Sequence, residues 1–82
     1  MKLIKYGAEW CVGCNHLTTT LSTIDHPLLN AYTDIDIDSD VKATVAANVR
    51  SIPTLVITDE DGNELRRLCG NHDKKSIIEF LA

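Results

Sequence analysis

The chain has 82 residues, of which 44% are hydrophobic and 24% are charged, and its formal net charge is -4 at pH 7. This length predicts one small domain, residues 1–82, and the acidic balance makes nucleic acid an unexpected partner. No stretch approaches a membrane span, and charged residues interrupt the apolar run of Met1–Lys5 before an export signal could form. We therefore expect a cytoplasmic protein with no membrane partner, and a monomer.

The first predicted unit is a strand over Lys2–Tyr6 that leads through a short connection into a helix. Apolar residues at three- and four-residue spacing define the buried side of that helix: Leu17, Leu21 and Ile24. The helix should end near Thr23–Asp25, because Pro27 cannot continue it. The unit is thus a βα unit with a short junction.

Cys11 and Cys14 lie at this junction and are separated by two residues. Such a pair can close a small disulfide ring, open it again and pass two electrons. Cys11 falls at the helix start, where free backbone N–H groups and the positive end of the helix dipole favour a thiolate over a thiol. We therefore predict that Cys11 is the nucleophile and that Cys14, one turn inside the helix, is the resolving thiol.

The rest of the chain continues as strands and helices in the order β-α-β-α-β-β-α. A strand over Ala31–Ile37 should lie parallel to the first, since a whole helix connects them by a right-handed crossover. The segment Asp38–Asp40 offers N-caps for a second helix whose valines recur every four residues and which Asn48 ends. Thr54–Thr58 is a third strand. Turn residues then lead to an antiparallel partner over Glu64–Leu68, and Asp73 caps a last helix.

Three segments of the chain resemble the thioredoxin family, in a shortened form close in size to glutaredoxin. They are Ala8-Glu9-Trp10-Cys11 with Cys14, the run Val49-Arg50-Ser51-Ile52-Pro53-Thr54, and Gly70 before the last helix. The resemblance covers essentially the full chain, less the extra N-terminal strand and helix of full-length thioredoxins. It implies an α/β, minimal thioredoxin-like fold, with a four-stranded mixed sheet in the order second, first, third, fourth, flanked by helices.

The resemblance implies a dithiol–disulfide oxidoreductase that reduces protein disulfides, with a cis Pro53 acting beside Cys11 and Cys14. The backbone of Ile52 would pair with an extended substrate segment like an added strand. The remaining groove residues would be Trp10, Val12, Gly13 and Gly70. A thioredoxin-reductase-type flavoenzyme or glutathione would supply electrons, ribonucleotide reductase is a candidate substrate by analogy, and no bound cofactor is implied.

Two charged positions depart from the family. Thioredoxins carry a buried Asp on the strand before the active site and a Lys on the neighbouring strand, whereas this chain has Lys5 and Asp34 there. Burying either charge alone would cost several kcal/mol, so the joint exchange indicates that the two face each other beneath the cysteine pair. We hypothesise that Asp34, directly or through a water, takes the proton from Cys14 and that Lys5 supports the thiolate. The alternative is that both side chains reach solvent.

A second departure lies between the cysteines, where thioredoxins usually carry Gly-Pro and this chain carries Val12-Gly13. Some glutaredoxins, and the glutaredoxin-like electron donors of ribonucleotide reductase, also place Val after the first Cys. A glutathione-dependent electron donor is therefore the alternative function. Against it stand Trp10, Ile52 and the lack of a second glycine beside Gly70.

A non-enzymatic alternative is a zinc-binding module. Cys11 and Cys14, together with Cys69 and His72, have the spacing of a Cys3His zinc site. Pro53 would then lie between the two pairs, where a zinc module does not need it. Without zinc, Cys69 is interpreted as a small apolar side chain at a strand end or as a third thiol near the groove.

Overall fold

A four-stranded mixed sheet in the order β2-β1-β3-β4 forms the centre of the computed structural model, which describes all residues 1–82. The strands are β1 (Lys2–Gly7), β2 (Thr33–Asp36), β3 (Thr54–Thr58) and β4 (Glu64–Cys69). The helices are α1 (Val12–Leu21), α2 (Val41–Ala46) and α3 (Lys74–Leu81), with a 3-10 turn at Pro27–Leu29. Strand β1 pairs parallel to β2 and antiparallel to β3, which pairs antiparallel to β4. The predicted α/β class, element order and strand order are confirmed.

The core lies on the face of the sheet that α1 and α3 cover. Its buried members are Leu3, Leu17, Leu21, Leu55, Ile57, Ile77 and Leu81. Because side chains alternate along a strand, Lys5 of β1 points to the same face as Leu3. Lys5 is therefore directed toward the face covered by α1, the helix whose N-terminal end carries the cysteine pair.

Helix α1 ends at Leu21, earlier than the predicted end near Thr23–Asp25. At this end the hydroxyls of Ser22 and Thr23 donate to the carbonyls of Thr19 and Thr20 at 2.6 and 2.7 Å. These are carbonyls that a further α-helical turn would use, and the chain continues past Ser22 in tighter turns. Strand β2 is also shorter than predicted, because its pairing with β1 runs only from Ile4 opposite Thr33 to Gly7 opposite Asp36.

Helix α2 begins at a polar N-cap and ends at a residue with a positive φ. The side chain of Asp40 caps its start by accepting the backbone N–H of Ala43 at 3.0 Å. Asn48, with φ 55°, follows its last turn and ends the helix. The valines that indicated this helix, Val41 and Val45, are exposed, so their spacing predicted the helix but not its buried side.

Helix α3 begins at its Asp73 cap and holds the end of the chain against β4. The Asp73 carboxylate accepts the backbone N–H of Ser76 at 2.9 Å, and hydrogen bonds from Ser76 lower its pKa. Arg66 of β4 donates to the carbonyls of Phe80 and Ala82 at 2.8 and 3.0 Å. None of the helices has the length and apolar character that a membrane crossing requires.

Candidate active site

Cys11 and Cys14 form a disulfide at the start of α1. Cys11 is the N-cap residue, and its Sγ accepts the backbone N–H of Cys14 at 3.1 Å. Cys11 is half-buried, whereas Cys14 is only 1% exposed. The pair is therefore asymmetric: one sulfur meets solvent at a helix N-terminus, and the other lies beneath it in the protein.

Gly7, the last residue of β1, provides the space behind Cys14. A Cβ atom at Gly7 would lie 3.2 Å from Cys14 Sγ and 3.6 Å from Lys5 Nζ. The space in front of Gly7 is therefore bordered by both the sulfur of Cys14 and the ammonium of Lys5. A positive charge thus lies on the same side of Gly7 as the buried sulfur.

Lys5 and Asp34 are opposite each other in the parallel pairing of β1 and β2, and Lys5 Nζ lies 3.3 Å from Asp34 Oδ1. The side chain of Lys5 is only 6% exposed, but that of Asp34 is 57% exposed. The difference follows from the sheet order, because β1 lies between two strands and β2 is an edge strand. The two charges thus face each other, as the first hypothesis expects. Of the two side chains that the alternative places in solvent, only that of Asp34 reaches it.

A polar cavity of about 430 Å³ opens beside this ion pair. Its lining residues are Lys5, Gly7, Ala8, Glu9, Asn15, Thr18, Asp34 and Asp36. A cavity of this size and polarity has room for water with several hydrogen-bonding partners. It connects the buried charge behind Cys14 with solvent.

Pro53 lies close to Gly13 of the cysteine motif, and the Ile52–Pro53 peptide bond is cis. The carbonyl of Pro53 accepts the backbone N–H of Gly70 at 2.8 Å, which joins the start of β3 to the end of β4. Gly70 has φ +81°, a conformation that favours glycine. Ile52 precedes the paired part of β3, whose first pair is Thr54 opposite Cys69.

Trp10 and Val12 present exposed apolar surface on either side of Cys11. The indole of Trp10 is 67% exposed, and its Nε1 donates to Asp38 Oδ2 at 2.7 Å. A cavity of about 230 Å³ lies between Trp10 and Ile52, with Arg50 on its wall. The sequence indicates Asp38 only as a helix-cap candidate, because no local pattern links two residues 28 positions apart.

Gly13 is covered by Asn71, a contact that sequence reasoning missed. A Cβ atom at Gly13 would lie 2.5 Å from Asn71 Nδ2 and 3.8 Å from Pro53 Cδ. Asn71, Gly13 and Pro53 therefore meet at one point beside the disulfide. The only sequence signal was a glycine at a position where the related family usually has proline.

The residues of the zinc alternative do not form a metal site. Cys11 and Cys14 are bonded to each other, Cys69 is a free exposed thiol, and His72 Nε2 is hydrogen-bonded to the carbonyl of Cys69 at 2.8 Å. No three His, Cys, Asp or Glu side chains are grouped so that they could hold a metal ion. The residues predicted for the redox site lie instead around the disulfide: Lys5, Trp10, Val12, Gly13, Ile52, Pro53 and Gly70, with Asp34 joined through Lys5.

The family model and the related sequences all identify the same protein family. The family model described as Thioredoxin matches residues 1–82. The thioredoxin of Chlamydia trachomatis is 37% identical over 81 residues, which cover 98% of this chain and 78% of the relative. The thioredoxin of Rickettsia bellii is 30% identical over 81 residues, covering 96% of this chain and 76% of the relative.

Solved structures share the same architecture. A single-site mutant of the thioredoxin of Halobacterium salinarum superposes with a TM-score of 0.81 at 27% identity, covering 98% of this chain and 70% of that one. The thioredoxin of Fasciola hepatica superposes with a TM-score of 0.82 at 21% identity, covering 98% and 76% of the two chains. At that identity the second likeness supports the fold alone.

Proposed function

The chain belongs to the thioredoxin family, and from that membership we propose a division of roles among the residues around its disulfide. Family and cysteine pair make it a dithiol–disulfide oxidoreductase that acts on protein disulfides. In the proposed sequence the Cys11 thiolate attacks one sulfur of the target disulfide, and the other target sulfur leaves as a thiolate. The Cys14 thiolate then attacks Cys11 in the mixed disulfide, releases the second target thiol and closes the ring.

The unequal burial of the two sulfurs is the observation that supports this assignment. Cys11 is the accessible N-cap, and the backbone N–H of Cys14 is directed at its sulfur. The same N–H and the helix dipole would stabilise a thiolate there in the reduced protein. Cys14, 1% exposed, is shielded from external disulfides but adjacent to Cys11.

The assignment is tested by trapping the mixed disulfide. Cys14→Ser should form a stable covalent adduct with a protein disulfide substrate, whereas Cys11→Ser should form none. Mass spectrometry of the two variants after incubation with oxidised insulin reads this out directly. An adduct formed through Cys14 in the Cys11→Ser variant, at the rate of the Cys14→Ser adduct, would reverse the roles.

For the resolving step we propose that Lys5 supports the Cys14 thiolate and that Asp34, directly or through a water, takes the proton from Cys14. Lys5 and the sulfur of Cys14 border the same space in front of Gly7, which supports the first role. The second role is supported by the ion pair and by the polar cavity, because Gly7, Lys5 and the exposed Asp34 all line that cavity.

The pH dependence of mixed-disulfide resolution in Asp34→Asn tests the second role. A matched control is Asp36→Asn, since Asp36 lines the same cavity but its carboxylate accepts the backbone N–H groups of Asp38 and Ser39. We expect a shifted profile for Asp34→Asn and an unchanged one for the control. An unchanged profile in both variants removes Asp34 from the mechanism.

We propose that the groove beside the disulfide holds an extended substrate segment against the backbone of Ile52. Support comes from the position of Ile52 before the first ladder pair of β3, and from the apolar surface of Trp10 and Val12 on the other side. Pro53 and Gly70 would form another wall of this groove, where the Gly70 N–H donates to the Pro53 carbonyl. Added-strand pairing of this kind uses the substrate backbone and so accepts many sequences.

For the electron source, we propose a thioredoxin-reductase-type flavoenzyme, with glutathione as the alternative. The Asp73 carboxylate already accepts the first-turn N–H of α3, where a glutathione carboxylate would otherwise bind. Oxidised protein should therefore regain its thiols with NADPH and thioredoxin reductase. Recovery only with NADPH, glutathione reductase and glutathione would assign the protein to the glutathione-dependent alternative.

We place this activity in the cytoplasm, and ribonucleotide reductase is a candidate substrate by family analogy. The exposed free thiol of Cys69 fits a compartment where thiols stay reduced. Reduction of an oxidised ribonucleotide reductase by the thiol form of the protein, followed as nucleotide turnover, tests the substrate.

A further inference from the structure

Asn71 lies in the loop between β4 and α3, and its side chain covers Gly13 inside the cysteine motif. The amide nitrogen is so close that a Cβ atom at position 13 would lie 2.5 Å from it. Real Cβ contacts are not that short, so only glycine at position 13 leaves the amide where it is. The family usually places proline at this position, and a proline ring would occupy the same space. Gly13 thus leaves room for the amide of Asn71 over the cysteine motif.

The side chain of Asn71 takes no part in the hydrogen bonds that order its own loop. Those bonds come from its neighbours: Gly70 N–H donates to Pro53, His72 bonds the carbonyl of Cys69, and Asp73 accepts from Ser76. Asn71 itself is an exposed residue whose amide lies beside Pro53. The side-chain amide of Asn71 is therefore available to hydrogen-bond at the groove, close to where the proposed substrate backbone passes.

We propose that Asn71 determines specificity in this groove by hydrogen bonding, through its side-chain amide, to the backbone of an extended polypeptide that carries the target disulfide. This inference rests on the proposed reduction of protein disulfides and names the feature of the substrate that is recognised. A small linear disulfide has no peptide backbone that could reach from Cys11 to Asn71. The residue therefore favours protein disulfides over small ones.

The test compares two substrates in three variants of the contact and one control variant. The substrates are oxidised insulin, as a protein disulfide, and bis(2-hydroxyethyl) disulfide, as a small one. Asn71→Ala should lower kcat/KM for insulin about five- to tenfold, the effect of one hydrogen bond, mainly through KM. Its kcat/KM for the small disulfide should stay within about twofold of wild type, since no hydrogen bond to that substrate is lost.

Gly13→Ala tests the same contact from the other side. Its Cβ must displace the exposed amide of Asn71, so this variant should show a similar loss on insulin. The double variant should then lose no more than either single variant, because both changes remove one contact. Asn30→Ala is the matched control: Asn30 is an exposed asparagine after the Pro27–Leu29 turn, beyond the far end of α1. It should leave both substrates unaffected.

The outcomes separate this inference from the function on which it rests. Unchanged insulin kinetics in Asn71→Ala, or an equal loss on both substrates, would overturn the role of Asn71 while protein disulfide reduction still stands. Independent, additive losses in the double variant would likewise show that the two residues do not share a contact. A wild-type protein that reduces the small disulfide but not insulin would overturn both.

Discussion

Lys5 and Asp34 form an ion pair in which one partner is buried and the other is in solvent. Their charged atoms are 3.3 Å apart, and their side chains are 6% and 57% exposed. A buried charge without its partner is costly, whereas an exposed one is hydrated by water. The buried charge of Lys5 therefore needs Asp34 for its stabilisation more than the exposed charge of Asp34 needs Lys5.

This inequality predicts different costs for removing the two charges. Asp34→Ala leaves the Lys5 ammonium buried without its carboxylate, and we expect it to destabilise the fold by about 1–2 kcal/mol. Lys5→Met replaces the ammonium with apolar volume and leaves a hydrated carboxylate, so the change should stay within about 1 kcal/mol. Urea unfolding gives both values. The double variant should resemble Lys5→Met, and equal costs for the single variants would contradict the unequal burial.

Gly7→Ala should disturb the cysteine pair as well as the fold. The new Cβ would lie 3.2 and 3.3 Å from Sγ and Cβ of Cys14, so that buried residue must shift. Overpacking of this kind costs about 1–3 kcal/mol in the free energy of unfolding. We also expect faster alkylation of Cys14 in the reduced variant, read by mass spectrometry.

Gly62→Ala is the control for a glycine replaced elsewhere. Gly62 has φ +89° in the β3–β4 turn and no atom within 4 Å of the added Cβ, so its cost arises from the backbone alone. Its alkylation rate should equal that of wild type. A matching increase in both variants would mean that general loosening, and not contact with Cys14, exposes the thiol.

Arg67 joins β4 to the end of α2, and Arg67→Lys should weaken that connection. The guanidinium donates to the carbonyls of Ala47 and Asn48 at 2.7 and 3.3 Å, and it also pairs with Glu64 through two nitrogens. A lysine cannot reproduce this fork, so we expect a loss of about 1–3 kcal/mol in urea unfolding. Arg50→Lys is the control, because the exposed Arg50 guanidinium bonds only the Asn48 side chain. An equal effect of both changes would contradict a special role for Arg67.

Acid should destabilise the protein through carboxylates that are hydrogen-bonded in the fold. The pKa of Asp59 is lowered by hydrogen bonds from Asn63, and that of Glu64 by its hydrogen bond with Arg67. A group with a lowered folded-state pKa binds protons more readily when unfolded, so its stabilisation is present above the unfolded pKa and is lost as the pH falls. The ordinary values are 3.8 and 4.5, so the melting temperature should decrease as the pH drops below this range.

Asp59→Asn tests this origin, because asparagine can still accept the turn N–H groups of Asp61 and Asn63 but does not titrate. The variant should lose less of its melting temperature between neutral pH and pH about 3 than wild type does. An exposed carboxylate outside the turn, Asp25, provides the matched Asp25→Asn control. An identical slope in wild type and Asp59→Asn would remove Asp59 as a source of acid sensitivity.

Local patterns in the sequence predicted most of the fold. Cysteine spacing, helix periodicity and turn residues act over a few positions, which is why the element order and the N-terminal position of Cys11 could be derived. The buried side of α2 could not, because the regular spacing of Val41 and Val45 predicts a helix without stating which neighbour covers it. The early end of α1 coincides with hydroxyls of Ser22 and Thr23 that bond the carbonyls of Thr19 and Thr20, a local effect that helix periodicity does not show.

The parts of the site that the sequence did not predict are contacts between distant segments. The unequal exposure of Lys5 and Asp34 depends on which strand lies at the edge of the sheet. The meeting of Gly13 with Asn71, and of Trp10 with Asp38, joins residues that no periodic pattern connects. Such pairs become visible only when the fold brings their segments together.

The hydrogen bond between Trp10 and Asp38 has a practical consequence for spectroscopy. Trp10 is the single tryptophan of the chain and directly precedes Cys11, so one fluorophore is held at a fixed place next to the disulfide. Opening the disulfide changes the surroundings of this indole, so its emission should differ between the oxidised and the reduced protein. The redox state of the unlabelled protein can therefore be followed during turnover by the fluorescence of Trp10.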